Sequence, residues 1–203
     1  MKYYVGLLIL LISTAAFSQA TKDSLLIKRD VLISKAHQLG LSEIEKRELT
    51  KIAFDIQNRG FLLAERKHEY LNGLTYIDNA VPIWQTLGNI SMEANLYKLK
   101  GPLLGRLNRF DEGHEYINKA LKLYKMINQE SGIAVTYFDL AQLFNIENKI
   151  DSAQHYVDLA LNFWTREKDT SRILGLYNFK IYILLKTNKI EQSQKLIDFV
   201  NSN

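Results

Sequence analysis

Few residues in this chain have the types and the spacing that catalysis or metal binding requires. The sequence contains no cysteine and four histidines. His68 and His114 are each followed by glutamate, as in the helical zinc-protease motif, but neither has the second histidine four residues later that the motif needs to hold the metal. His114 and His155 also fall one step out of phase in successive copies of an internal repeat. We therefore expect these two to be surface residues rather than metal ligands.

Other catalytic signatures do not occur in the sequence either. It has no Gly-rich phosphate-binding loop, no nucleophile elbow and no cysteine nucleophile. Acidic residues recur as Asp111, Asp151 and Glu191 at the starts of predicted helices, where a negative charge opposes the positive end of the helix dipole. We predict that the protein is not an enzyme and that it has no catalytic residue, no metal site and no cofactor. A hydrolase hidden in a helical scaffold is the weakest alternative, because it would need polar groups converging in a deep pocket.

The composition is that of a globular protein. Hydrophobic residues make up 47% of the 203 positions and charged residues 24%, which is typical of a folded domain. The formal net charge is +4, and lysine and arginine are spread among aspartate and glutamate along the chain. Nucleic-acid-binding proteins usually show a basic stripe or patch, and none stands out here. We predict no nucleic-acid partner.

Residues 1–20 predict a Sec-type secretory signal peptide. A positive start, Met1-Lys2, precedes an almost wholly apolar run from Tyr3 to Phe17, and small residues then favour cleavage after Ser18 or after Ala20. The alternative is an uncleaved membrane anchor, but the apolar run is shorter than the roughly 20 residues that a spanning helix needs. We therefore expect an exported protein, periplasmic or secreted, with no membrane span after cleavage of the signal.

The chain is organised by an internal repeat with a 40-residue period. Residues 107–126 (LNRFDEGHEYINKALKLYKM) are followed by a second copy at 147–166 (ENKIDSAQHYVDLALNFWTR) and by a shortened third copy at 187–200 (TNKIEQSQKLIDFV). Phe110, Ile150 and Ile190 occupy the same place in the three copies. Self-similarity at such a period is typical of stacked repeat proteins.

Each repeat predicts a helix, a short turn and a second helix. The second helices are predicted near 70–86, 110–126, 150–166 and 189–200, because small and bulky residues recur there at the spacing of one helix face. The first helices are predicted near 91–106, 131–146 and 171–186, with Tyr97, Tyr137 and Tyr177 at equivalent places. Serines at their starts are the expected N-caps: Ser91, Ser131 and Ser171. Asparagine, which tolerates a left-handed backbone, is expected in the turns at Asn108, Asn148 and Asn188.

The predicted organisation has three parts, and no stretch alternates as a strand would. Residues 1–20 form the signal peptide, and residues 21–69 form N-terminal helices that lead into the array. One of these helices begins after a capping box of Ser42 and Glu45. Residues 70–203 contain the repeats. The expected fold class is all-α.

The pattern resembles the tetratricopeptide repeat (TPR). Its first helix reads Tyr97, Gly101 and Leu104, and its second helix carries small, bulky and small residues, as at Ala153, Val157 and Ala160. The common TPR unit has 34 residues, so the period of 40 resembles the long-helix variant found in bacterial regulators and sensors. HEAT repeats also run near 40 residues, but the small-bulky-small second helix argues against them. The resemblance implies a right-handed α-solenoid of stacked antiparallel helix pairs.

The resemblance also implies a binding groove lined by the first helices, which would hold a peptide or a partner segment. The groove places of the family, carried over to this sequence, are Asn95, Lys98, Pro102, Arg106, Val135, Phe138, Gln142, Asn145, Ile146, Asn178, Tyr182, Leu185 and Lys186. Lys98, Arg106 and Lys186 would give this groove a positive margin. The expected ligand therefore has apolar anchors and some acidic character. The alternative for Phe138 and Tyr182 is that they only pack between adjacent repeats.

The resemblance favours an exported, non-catalytic protein–protein interaction module whose partner is a protein or peptide. A second interpretation is a sensory input domain, or a shortened relative of a bacterial TPR-containing sensor kinase or regulator. Because no polar-faced capping helix follows residue 200, the C-terminal helix is also a candidate surface for a homodimer.

Overall fold

The structure, a computed structural model, describes residues 24–202, with the side chains of Arg66 and Lys67 excepted. The predicted signal peptide lies outside the described residues. Within them the chain is helical throughout and contains no strand. Helix α1 covers residues 24–39. It is followed by α2 Glu43–Lys67, α3 Tyr70–Thr86, α4 Ile90–Arg106, α5 Phe110–Met126, α6 Glu130–Ile146, α7 Ile150–Arg166, α8 Thr170–Lys186 and α9 Ile190–Ser202.

From α3 onward a new helix starts every 20 residues, and the turns have the same design. The second residue of each turn adopts a left-handed backbone, with φ between 52° and 65° at Gly88, Asn108, Asn128, Asn148, Lys168 and Asn188. In the turn after α4, Asn108 N–H donates to Gly105 O and Arg109 N–H donates to Leu104 O, both at 2.9 Å. These two hydrogen bonds satisfy carbonyl groups that the helix end would otherwise leave without a donor. The predicted turns at Asn108, Asn148 and Asn188 are confirmed, and the same turn also joins successive repeats.

The helix starts differ from the sequence prediction by one residue or less, but the predicted serine N-caps are wrong. The caps of α4, α6 and α8 are Asn89, Gln129 and Asp169, two residues before the serines. Asn89 Oδ1 accepts from Met92 N–H, and Asp169 Oδ1 accepts from Arg172 N–H, both at 3.0 Å. Side-chain oxygens of this kind pair with free donors in the first turn. The serines lie inside the first turn instead.

The N-terminal part follows its prediction closely. Helix α1 stops at Gly40, whose φ of 76° suits glycine. The Ser42–Glu45 capping box is present at the start of α2. Helix α2 then packs against α3 as the first and second helices of later repeats pack against each other. The stacked array therefore includes α2, within the segment 21–69 that the sequence assigned to leading helices.

Four antiparallel pairs, α2–α3, α4–α5, α6–α7 and α8–α9, stack along the chain. The small and bulky residues predicted to face the core of each pair are buried, as at Gly113, Ile117 and Ala120. Tyr97 lies 5.7 Å from Tyr116 between ring centroids, and 40 residues later Tyr137 lies 5.9 Å from Tyr156 at nearly the same interplanar angle. The first-helix tyrosines of these layers therefore occupy equivalent places. The fold is an all-α solenoid, as predicted.

Small residues bring the two helices of a pair into close contact. A Cβ atom added at Gly113 would lie 3.0 Å from Gly101 O, and one added at Gly73 would lie 3.0 Å from Gly60 O. These two glycine pairs allow backbone to approach backbone at the same point of successive layers. The sequence period reflects this contact, because the equivalent places of the next layer, Ala141 and Ala153, are also small, and a bulky side chain there would push the helices apart.

Candidate functional site

The first helices of the pairs share one surface, which we call the first-helix face. It contains Phe61 of α2, Leu99 of α4, Gln142 of α6 and, at the place equivalent to Gln142, Tyr182 of α8. Helices α4 and α6 contact each other directly, so the face runs across neighbouring layers without a second helix between them. All the residues that the sequence assigned to a groove lie on α4, α6 and α8.

The part of this face between α2, α4 and α6 forms a pocket of about 110 Å³. Its apolar lining comes from Phe61, Ala64, Ile77, Leu99, Pro102 and Leu103, and its polar lining from Gln57, Glu65, Arg106, Asp139 and Gln142. Three residues of the predicted groove, Pro102, Arg106 and Gln142, thus line one pocket. Asn95 lies beside it, where it lines a neighbouring depression with Gln57 and Phe61.

Asp139 is the most unusual residue of this pocket. Its side chain is 10% exposed, and its Oδ2 lies 3.6 Å from Lys98 Nζ, whose side chain is 12% exposed. That distance is too long for a hydrogen bond, and Oδ2 is buried without a hydrogen-bond partner. Burial raises the pKa of Asp139 to about 6, although the Lys98 ammonium acts in the opposite direction. The charge of Asp139 adds to burial in raising the pKa of Tyr124, on α5, to about 12.

Lys98 was expected to give the groove a positive margin, and the structure corrects this expectation. Its ammonium faces the Asp139 carboxylate within the buried contact between α4 and α6. Arg106 remains exposed at the edge of the pocket, where its guanidinium lies 5.5 Å from the ring centroid of Tyr70. Because Glu65 and Asp139 line the same pocket as Arg106, with Lys98 beside Asp139, positive and negative groups are balanced there.

Asn145 and Lys186 contact each other rather than standing open in a groove. Lys186 Nζ donates to Asn145 O at 3.0 Å and to Asn145 Oδ1 at 3.2 Å. This contact joins α6 to α8. Asn145 lies between the two helices and is therefore buried, with 8% exposure. The expectation that Asn145 lines an open groove is therefore wrong, and its role is to hold adjacent layers together.

The aromatic residues of α6 and α8 divide between packing and exposure. Phe138 is half-buried and meets Phe179 edge to face, with ring centroids 5.1 Å apart. It packs between adjacent repeats, as the alternative interpretation proposed. Tyr182 is 51% exposed and Leu185 is 48% exposed. Asn178 is exposed as well, so the α8 end of the face presents Asn178, Tyr182 and Leu185 to solvent.

The histidines are dispersed over the structure. His155 is exposed, as expected. His114 is half-buried, hydrogen-bonded to Glu147 and 4.7 Å from the ring centroid of Phe144, so the expectation of a surface residue was wrong for it. Within residues 24–202, no group of three or more potential ligands is placed to hold a metal ion.

Two contributors to the face were missed from the sequence, namely helix α2 and the buried carboxylate of Asp139. Phe61, which is 50% exposed, lines both depressions, but its helix had been assigned to a leading segment. The spacing of Gly60 and Gly73 was the available signal, because it nearly repeats that of Gly101 and Gly113. Asp139 gave no such signal, since aspartate on a helix is usually a surface residue.

Comparison with known proteins supports the fold and leaves the family open. No protein-family profile and no curated protein matches the sequence. Among the solved structures, 41 chains match. One is BtubC (BKLC) from P. vanneervenii, with a TM-score of 0.62 and 15% sequence identity over 86% of this chain and 69% of that chain. At that identity the likeness shows the fold alone.

In the part of the chain that the structure describes, no helix has both the length and the apolar character needed to cross a membrane.

Proposed function

We propose that this protein is a non-catalytic interaction module that binds a segment of a partner protein along its first-helix face. The single observation that carries the proposal is the pocket between α2, α4 and α6, where exposed apolar residues and a buried, incompletely bonded carboxylate lie together. Recognition sites on proteins commonly combine apolar lining with a few placed polar groups. The 40-residue repeat and the helix pairs support assignment to a long-helix TPR-like group, and the sequence of residues 1–20 supports export.

The face has the two features that a bound segment needs. Large side chains are exposed at both ends, with Phe61 at 50% and Tyr182 at 51%. Amide side chains, which can donate to and accept from a peptide backbone, lie between them, among them Asn95 and Gln142. Buried aromatic anchors dominate the affinity of most interfaces, so these two aromatics are the expected contact points.

The proposal is tested by selecting peptides from a random library displayed on phage, with the protein as bait. We expect enriched peptides whose affinity falls by about tenfold or more in the double variant Phe61→Ala/Tyr182→Ala, as for other exposed aromatic anchors. The matched control is Met126→Ala/Ile190→Ala, which removes side chains of 60% and 56% exposure from second helices and should leave binding unchanged. A library that yields no enriched peptide, or peptides that lose affinity only in the control variant, would contradict the proposal.

A homodimer through the C-terminal end is a secondary part of the proposal. Leu174 is 42% exposed and Leu185 48% exposed. The equivalent residues of α4 and α6, which are followed by another layer, are buried: Ala94, Gly105, Ala134 and Asn145. In the last layer that the structure describes, α8 therefore exposes two leucines at places that are covered in the layers before it. Sedimentation of the full chain should show dimers that Leu185→Glu abolishes, and a monomer at all concentrations would remove the homodimer from the proposal.

A further inference from the structure

The pocket between α2, α4 and α6 has an apolar interior. Ala64, Ile77 and Leu103 line it and are buried, with 2% to 8% exposure. Phe61 and Pro102 line it and remain partly open to solvent. A closed cavity of about 150 Å³ takes up benzene. A pocket of about 110 Å³ that opens to solvent therefore has room for most of one aromatic ring, with the rest of the ligand outside.

One wall of the pocket is formed by Asp139, whose carboxylate charge the protein compensates only in part. Asp139 is 7% exposed overall, and its Oδ2 has no hydrogen bond. Lys98 Nζ, at 3.6 Å, is the nearest opposite charge and is too distant to donate. Oδ2 is enclosed by protein, so the charge of the carboxylate is only partly compensated. A ligand group that donates to the part of Asp139 that lines the pocket would stabilise this charge further.

The charges around the pocket select against an ionised ligand group. Arg106 and Lys98 balance Glu65 and Asp139 there, so an ionised ligand group is attracted by one set and repelled by the other. It gains little net attraction to offset its lost hydration, whereas a neutral donor on an apolar ring loses less on entering the pocket. Among protein side chains, the tyrosine phenol and the tryptophan indole combine an apolar ring with one neutral donor.

We propose that this pocket takes a tyrosine or tryptophan side chain of the bound segment, whose O–H or N–H donates a hydrogen bond to the Asp139 carboxylate. This inference rests on the proposed function, since it names the anchor residue that the first-helix face recognises. The apolar ring fills the space beside Phe61 and Leu99. The donor stabilises the charge of Asp139, which a phenylalanine or leucine anchor would not do.

The test uses small probes on the full chain, observed by NMR of methyl groups. The probes are N-acetyl-tyrosinamide, N-acetyl-tryptophanamide, N-acetyl-phenylalaninamide and N-acetyl-O-methyl-tyrosinamide. We expect shifts at the methyl groups of Ile77, Leu99 and Leu103. The two probes that carry a donor should bind about fivefold or more tightly than the two that lack one, the effect of one net hydrogen bond. In Asp139→Leu this preference should disappear, while Gln154→Leu, on α7, should retain it.

Equal binding of donor and donor-free probes to the unmodified protein would overturn the inference, and that comparison does not depend on how Asp139→Leu folds. Shifts confined to other parts of the protein, or tighter binding of N-acetyl-lysinamide, would overturn it as well. Failure of the proposed function looks different. If selected peptides bind the first-helix face without a tyrosine or tryptophan, only the anchor inference fails. If the probes bind the pocket but no peptide is enriched, the pocket's preference for a neutral donor is supported, whereas the proposal of an interaction module is rejected.

Discussion

The Asp139 carboxylate and the Lys98 ammonium lie 3.6 Å apart in a contact between α4 and α6 in which both side chains are about nine-tenths buried. A buried pair at this distance gives only partial compensation for the lost hydration of the two charges. The raised pKa of Asp139, about 6, is the consequence. The pair therefore stabilises the contact between α4 and α6 less than an apolar pair of the same volume would.

The first prediction concerns the pH dependence of unfolding. The pKa of Asp139 is raised in the folded protein from 3.8 to about 6. Its stabilising contribution, which belongs to the protonated form, is therefore fully present below about pH 4 and is lost as the pH rises through 6. In Asp139→Asn the side chain stays uncharged, so the free energy of unfolding of the variant relative to wild type should rise by about 2.4 kcal/mol between pH 4 and pH 7. Urea unfolding at both pH values measures this difference, and a difference that stays constant would show that burial does not raise the pKa of Asp139.

The second prediction concerns the close approach of α4 and α5. A Cβ atom at Gly101 would lie 2.3 Å from the Cγ1 and Cδ1 atoms of Ile117, which is fully buried, so something must shift to accommodate it. Gly101→Ala should therefore lower the free energy of unfolding by about 1–3 kcal/mol. Gly175→Ala is the matched control in α8, where an added Cβ meets nothing within 4 Å. It should raise stability by about 0.5–1 kcal/mol, because alanine favours the helix. If both variants change stability in the same direction, α4 and α5 do not approach each other as closely as described.

The third prediction concerns Lys168, the one residue of the 20-residue turn series that is neither asparagine nor glycine. Its φ is 56°, a conformation that costs an ordinary L-residue about 1–2 kcal/mol. Lys168→Gly should raise the midpoint of thermal unfolding, with a gain of about 0.5–1 kcal/mol after the entropy of glycine is considered. Lys122→Gly, in the middle of α5, should lower stability by about 1 kcal/mol. A destabilised Lys168→Gly would mean that the turn after α7 is not left-handed.

The fourth prediction separates the observed helix caps from the predicted ones. Asn89→Ala removes the acceptor for Met92 N–H and should cost about 1 kcal/mol. Ser131→Ala changes an exposed residue inside the first turn of α6 and should alter stability by less than about 0.5 kcal/mol. Chemical denaturation of the two variants decides between the assignments. A larger loss for Ser131→Ala would favour the serine caps.

Much of the fold could be predicted from the sequence because the helices depend on local patterns. The 40-residue period of Gly113, Ile117 and Ala120 with their equivalents identified the second helices within one or two residues of their observed ends. The Asn turns were predicted from the tolerance of asparagine for a left-handed backbone. The serine caps failed because two capping residues compete within one turn, and Asn89 and Asp169 lie closer to the helix start.

The surface was harder to predict, because it depends on contacts between layers. Lys98 and Asn145 were assigned to an open groove, but each meets a residue about 40 positions later, Asp139 and Lys186 respectively. No local pattern shows such a contact. Helix α2 itself was predicted, but its place in the stacked array was missed, because its pairing glycine, Gly60, lies one residue outside the 40-residue register that places Gly101.

The most direct test of the interaction module is site-specific photo-crosslinking to an enriched peptide. A benzophenone side chain is introduced at Phe61 or Tyr182 on the first-helix face, and at Met126 or Ile190 on second helices. All four residues are 50–60% exposed, so accessibility alone does not distinguish them. We expect crosslinks from Phe61 and Tyr182 that excess unlabelled peptide prevents, and none from Met126 and Ile190. Competable crosslinks from Met126 and Ile190, with none from Phe61 and Tyr182, would place the partner on the other surface and contradict the account.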